Sequence, residues 1–212
     1  MLYVNDIFYS IQGESSFSGY PCKFVRLAGC NLKCGYCDTK EALDLKNSKR
    51  LNVDEIIKIL GNIGTGSIGL IEITGGEPLL QKEEMVDLFA ELLNLNYTVL
   101  LETNGTISLK TVDKAVIKII DVKCPSSGFS EEFNFENLKY IRRNDEIKFV
   151  IGDNADYEYA KGFIRTYSFA TDKFIFSTVE GSMPSKELAE KILKDGLNVR
   201  LGVQLHKILR LK

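Results

Sequence analysis

Short apolar, β-branched runs alternate along this chain with stretches of helical periodicity, and that alternation narrows the fold more than any other feature. Cys22–Leu27 (CKFVRL), Ser67–Thr74 (SIGLIEIT), Thr98–Glu102 (TVLLE), Ile117–Val122 (IKIIDV), Glu146–Ile151 (EIKFVI), Lys173–Ser177 (KFIFS) and Val199–Leu205 (VRLGVQL) have the composition of strands. Between them, Asn52 followed by Glu55 offers a capping box to a helix over Val53–Leu60. Lys82–Leu93 places Met85, Leu88, Phe89 and Leu92 on one helical stripe. Pro184 opens another helix and Gly196 closes it, and Asn134–Arg143 carries a weaker helical pattern. Strands separated by helices imply βαβ units with right-handed crossovers and a mainly parallel sheet. The predicted fold is therefore α/β, one domain over residues 1–212. Such crossovers give either a doubly wound sheet or a barrel; because the strand count falls short of a closed eight-stranded barrel, a partial, open βα barrel of about six parallel strands is the first expectation.

In such folds ligands sit at the carboxyl ends of the strands. The polar and glycine-rich segments fall there: a cysteine loop at about residues 28–40, then Thr74–Pro78, Glu102–Gly105, Asp121–Pro125 and Gln204–His206. Their repetition predicts one site at one end of the sheet. The balance of 27 basic against 29 acidic residues, net −2, disfavours a nucleic-acid binder. No apolar run approaches the roughly 18 residues of a membrane span. Met1–Ser10 lacks a basic region followed by an apolar one, so no signal peptide and a cytoplasmic location are expected.

Three of the five cysteines fall within eight residues, as Cys30-Asn-Leu-Lys-Cys34-Gly-Tyr-Cys37, and the total is odd. Neither fact suits a disulfide framework; the cluster points to metal chemistry in a reducing compartment. Two sites fit. A structural zinc needs a fourth ligand, for which only the distant His206 or Cys124 is available. A [4Fe–4S] cluster held by three thiolates leaves one iron open to a small molecule. Cys22 and Cys124 otherwise have the character of small apolar residues.

The C-x3-C-x2-C spacing, with Tyr36 in the aromatic position before the last cysteine, resembles the radical S-adenosylmethionine (SAM) enzymes. Gly75-Gly76-Glu77-Pro78 after an apolar strand is similar to the GGEP segment of those enzymes, although a tight strand-to-helix turn accounts for it equally well. Phe8-Tyr-Ser-Ile-Gln-Gly-Glu14, Phe24-Val-Arg-Leu27, Cys37-Asp-Thr39 and Glu102-Thr-Asn-Gly105 narrow the resemblance to the 7-carboxy-7-deazaguanine synthase family, over nearly the whole chain.

The resemblance implies a ring contraction of 6-carboxy-5,6,7,8-tetrahydropterin to 7-carboxy-7-deazaguanine with loss of ammonia. It also implies a [4Fe–4S] cluster on Cys30, Cys34 and Cys37, SAM as reusable cofactor, and Mg²⁺ on the Thr39 hydroxyl. Ile11, Gln12, Gly13 and Glu14 would face the pterin, with Thr74 and His206 bordering it and Arg26 pairing with its carboxylate. Tyr36, Cys37, Asp38, Gly75, Gly76 and Glu77 would lie against SAM, with Glu102 and Asn104 towards its ribose. Lys123, Pro125, Phe176, Ser177, Thr178 and Val179 would complete the nucleotide pocket. An electron donor of flavodoxin or ferredoxin type and a homodimer are implied as partners. Two departures stand out: Ser15 follows Gln-Gly-Glu where many relatives have glycine, and the chain closes on Arg210-Leu-Lys212 where some relatives place a proline on the substrate. The competing readings are a glycyl-radical enzyme activase and a non-catalytic zinc-binding interaction module.

Overall fold

The computed structural model describes residues 1–64 and 68–212. Ser67, placed above at the head of a strand, lies outside the described residues. One nine-stranded sheet runs through the chain. Its strands are β1 (Leu2–Ile11), β2 (Pro21–Leu27), β3 (Lys49–Leu51), β4 (Leu70–Gly75), β5 (Thr98–Thr103), β6 (Ile117–Asp121), β7 (Glu146–Ile151), β8 (Phe174–Thr178) and β9 (Arg200–Gly202), in the order β3-β1-β2-β4-β5-β6-β7-β8-β9. From β2 through β9 every pairing is parallel, so seven strands form the parallel part, in line with the expected count of about six. The edges β3 and β9 do not pair, and the barrel stays open as expected.

The helices are α1 (Val53–Asn62), α2 (Lys82–Asn94), α3 (Asn154–Thr166), α4 (Ser185–Asp195) and α5 (Leu205–Leu209). The Asn52–Glu55 capping box is formed, and Ile56 and Leu60 of α1 are buried. The α2 stripe of Met85, Leu88, Phe89 and Leu92 is buried as its spacing predicts. Gly196 ends α4 in the left-handed conformation. The Asn134–Arg143 pattern yields a 3₁₀ helix over Phe135–Tyr140.

Several elements depart from the sequence expectation, the short β3 among them. The first strand is β1, ahead of Cys22–Leu27, and it takes in Phe8–Ile11; it runs antiparallel to both neighbours. A register shift between Val4 and Asp6 changes which face its side chains take. Leu2 and Val4 enter the main core, while Phe8 packs on the opposite side of the sheet. The predicted Val199–Leu205 strand is only three residues long; the chain then turns, leaving Val203 exposed and placing His206 on α5. Finally, α3 buries Tyr157, Ala160 and Phe163 in a segment whose many polar residues hide the stripe.

Strand parity divides the sheet into two faces. One face, with Val25, Leu27, Ile71, Ile73, Leu101, Ile120, Phe149 and Phe176, packs against the helices as the main core. The other lines the cleft. Its lower layer is an apolar plug of Cys22, Phe24, Leu70, Leu100 and Ile119, closed by Phe8 and Phe17. Above the plug the same strands present Arg26, Glu72, Thr74, Glu102, Asp121 and Lys148 around a cavity of about 520 Å³. Among the described residues no helix is long and apolar enough to cross a membrane.

Candidate active site

The cysteine loop follows β2 and is fixed at its base by the turn after β4. Gly76 N donates to Leu27 O at 3.1 Å, and Glu77 N to Gly29 O at 2.8 Å. Gly29 N and Cys30 N in turn reach Ala42 O and Leu43 O, at 2.8 and 3.2 Å. This close docking demands glycine: a Cβ on Gly76 would lie 2.1 Å from Gly29 O and 2.8 Å from Ala42 O.

Glu77 is fully buried, and its carboxylate accepts from Leu79 N, Thr103 Oγ1 and Asn104 N at 2.7–2.9 Å. Burial pushes its carboxyl up to about 7 against the pull of those donors. Glu77 does not line the cavity, and its carboxylate is taken up by these internal donors. Glu77 holds Asn104, whose side-chain amide donates to Asn31 Oδ1 at 3.1 Å beside the first cysteine. The turn therefore braces the loop, and Gly75 and Gly76 present backbone to the cavity.

Cys30, Cys34 and Cys37 are half-buried and line the cavity; Cys22 and Cys124 are fully buried elsewhere. Burial holds the Cys30 and Cys34 thiols above their usual range, and the Lys123 ammonium works against it. Among the described residues no three Cys, His, Asp or Glu side chains converge as they must on a single ion. Tetrahedral zinc would draw its thiolates to about 3.8 Å of one another, whereas a cubane gives each thiolate its own iron. Cys124, one of the two candidates for a fourth zinc ligand, is sealed in the main core. Three thiolates on one cavity, with the other two cysteines buried elsewhere, are the donor set of a cluster that leaves one iron open. Tyr36 Oη and Asp121 Oδ1 are buried polar atoms without a hydrogen-bond partner among the described residues, and both residues line the cavity. Such atoms are what a polar ligand would satisfy.

Opposite the loop stands Ile11–Glu14. Leu205 N donates to Gly13 O at 2.9 Å, and a Cβ on Gly13 would fall 2.0 Å from His206 Nδ1. Gly13 is thus required for α5 to close over this wall. Gln204 Nε2 donates to Glu14 Oε1 at 2.9 Å, and Lys207 pairs with Asp38 at 2.8 Å. Gln12 Nε2 donates to Glu72, which burial, reinforced by the Glu102 charge, pushes well above the ordinary carboxylate range. Arg26 lies with its guanidinium 5.6 Å from the Phe8 ring centre, and its Nη1 donates to Thr39 Oγ1 at 2.9 Å. Phe8 stacks on Phe24 with centroids 4.9 Å apart.

The cavity brings together Ile11, Gln12, Gly13, Glu14, Arg26, Tyr36, Asp38, Thr39, Thr74, Glu102, Asn104, Lys123, Thr178, Val179 and His206 with the loop thiols. Four expected residues lie outside its lining. Besides Glu77, Phe176 points to the helix face and packs on Phe149 and Tyr157. Ser177 is buried with an unpartnered hydroxyl, and Pro125 is exposed at the head of a 3₁₀ turn. That turn serves the loop from behind, since Gly35 N points to Ser127 O at 3.4 Å.

Glu72 and Lys148 were not anticipated, and Asp121 only as the head of the Asp121–Pro125 segment. Their signal is present in the sequence, as charges inside otherwise apolar strands, which soluble proteins bury only when partnered. Lys148 pairs with Glu14 at 2.8 Å, with Glu102, and with Asp121 at 3.7 Å. Burial alone would push this ammonium down; the three carboxylates reverse that and hold it well above its usual range. In return Glu14, which burial would raise, is held below the ordinary carboxylate range by Lys148.

The profile of the radical SAM superfamily matches residues 25–126. A protein of Koribacter versatilis described as 7-carboxy-7-deazaguanine synthase is 43% identical, across 97% of this chain and 96% of its own. One of the same description from Chlorobaculum tepidum is 41% identical, across 97% of this chain and 93% of its own. Among solved structures, QueE from Escherichia coli superposes with a TM-score of 0.74 at 20% identity, covering 95% of this chain and 94% of that one, a likeness of fold. With relatives of this kind across nearly its whole length, the chain belongs to the 7-carboxy-7-deazaguanine synthase family of radical SAM enzymes.

Proposed function

We propose that this chain converts 6-carboxy-5,6,7,8-tetrahydropterin to 7-carboxy-7-deazaguanine and ammonia in the cleft described above. The observation that carries this reading is the meeting of Ile11–Glu14 and Arg26 with the cysteine loop around one cavity. When bound, the [4Fe–4S] cluster on Cys30, Cys34 and Cys37 and SAM, with one electron from a reductant, would supply reversible radical hydrogen abstraction. The protein's part is placement. Arg26 offers a planar fork to the substrate carboxylate. Gln12 and Glu14 offer an amide and an ionised acceptor to the N–H edge of the heterocycle. The apolar plug of Phe24, Leu100 and Ile119 seals the floor against water. Thr39 and the loop end are close enough to Arg26 for a Mg²⁺ on the hydroxyl to share the substrate's negative charge. A flavodoxin- or ferredoxin-type donor and a homodimer complete the proposal. The activase alternative, which needs a protein backbone as substrate, loses its support with the family assignment.

Turnover of the carboxytetrahydropterin by the anaerobically reconstituted enzyme, followed by mass spectrometry, tests the reading; cleavage of SAM without a deazaguanine product would overturn it. Two variants test the residues. Arg26→Lys keeps the charge but loses the fork, so KM for the pterin should rise about tenfold with kcat less affected. An unchanged KM would take Arg26 off the carboxylate. Thr39→Ala should abolish stimulation by Mg²⁺ while iron content and SAM binding stay at the parent level. If the magnesium dependence survives, the ion is held elsewhere.

A further inference from the structure

Among the buried groups of the cleft that the proposed chemistry does not use, one stands at the centre of the others. Lys148 comes from the middle of β7, its side chain is 4% exposed, and it reaches carboxylates on three other elements. Glu14 stands on the connection after β1, Glu102 near the end of β5, and Asp121 at the end of β6. Each partner is itself held by a second group. Glu14 Oε1 accepts from Gln204 and its Oε2 meets Lys148. Glu102 Oε2 accepts from Thr74 Oγ1 at 3.0 Å and its Oε1 meets Lys148. Asp121 Oδ2 takes Lys123 at 2.9 Å as its nearer partner. The ammonium thus fixes the free rotation of two carboxylates that face different ligands, Glu14 towards the pterin and Glu102 towards the nucleotide.

We propose that Lys148 is a positioning residue shared by both ligands, the one side chain through which the substrate wall and the nucleotide wall are set in register. This rests on the assignments of Glu14 and Glu102 made above. The charge arithmetic of the cleft supports it. Glu14, Glu72, Glu102 and Asp121 crowd around Lys148, with Lys123 the second cation beside them. Without Lys148, Glu14 and Glu102 would face each other uncompensated and turn apart, which is costly for buried charges. A hydrophobic residue at position 148 could fill the volume but could not orient either carboxylate.

The test measures binding without turnover. Anaerobically reconstituted protein, kept free of reductant, is titrated separately with SAM and with 6-carboxypterin, the oxidised, redox-inert analogue of the substrate. Glu14→Gln should weaken 6-carboxypterin alone and Glu102→Gln should weaken SAM alone; if either fails, the ligand assignment behind the proposal is wrong rather than the role of Lys148. Lys148→Met should raise both Kd values by at least about tenfold. A change in only one of them, or in neither, overturns the proposal. Because an uncompensated Glu14 could prevent folding, Lys148→Met is also made in the Glu14→Gln background, where one charge of each sign is removed. There the Kd for SAM should still rise about tenfold above that of Glu14→Gln alone. Equal values in the two proteins would likewise overturn the shared role.

Discussion

Replacing Cys34 with alanine is expected to bring iron and sulfide, after anaerobic reconstitution, down from about four of each per chain to near background. Turnover should fall by at least about 10⁴-fold, because the cofactors and not the side chains carry the hard chemistry. The argument is one of ligand count. The loop supplies three thiols to one cavity, and the two remaining cysteines are spent in packing: Cys22 in the plug on the cleft floor, Cys124 in the main core. No spare thiol can take the place of Cys34. Cys22→Ala and Cys124→Ala make the contrast. Each should cost roughly 1 kcal/mol of stability and leave iron loading intact. A Cys34→Ala protein that still carries a full brown cluster would remove the loop from the active site.

The second large effect is expected at Gly76. A methyl group there would meet the carbonyl oxygens of Gly29 and Ala42, at 2.1 and 2.8 Å, and neither is the mobile end of a side chain. Gly29 O already accepts from Glu77 N, so relief of the clash means breaking the bond that docks the turn on the cysteine loop. Gly76→Ala should cost about 3 kcal/mol, a fall in Tm of about 9 °C for a chain of this size. It should also reduce cluster loading, since the base of the loop moves with the turn. Gly162→Ala is the control of opposite sign. Gly162 lies within α3 with nothing near its missing Cβ, so alanine there should raise stability by up to about 1 kcal/mol. A Gly76→Ala protein as stable as the parent would show that the docking is not tight.

The parallel sheet, the open barrel and the placement of the site at the strand ends were legible because the signals repeat. An apolar run followed by glycine or a polar pair occurs after β2, β4 and β5, and each time it marks the cleft rim. What escaped has local causes. β1 carries Asn5 and Asp6 at its register shift, so the alternation that announces a strand is broken at its centre. α3 builds its buried stripe partly from Tyr157 and Ala160, which also occur on surfaces. The run after Val199 alternates as a strand should, yet the chain leaves the sheet after Gly202, where a side chain would strike Ile175 of β8. At the cavity, motifs named many of the residues that line it but did not give the direction of each side chain. Glu77 turned inward to a buried brace, and Phe176 fell on the opposite parity from Ser177. Lys148 belongs to no motif, and only its partners across three elements give it a meaning.

The two faces of the sheet have a practical consequence. Above the apolar plug, the side chains of the helix-facing core and those that line the cavity alternate along the same strands. A combinatorial library confined to positions 26 and 74 would therefore vary the cleft wall while leaving the helix-facing core untouched. Within such a fold, new heterocycles can be sampled at small thermodynamic risk, provided the lysine in the middle of β7 keeps its carboxylates.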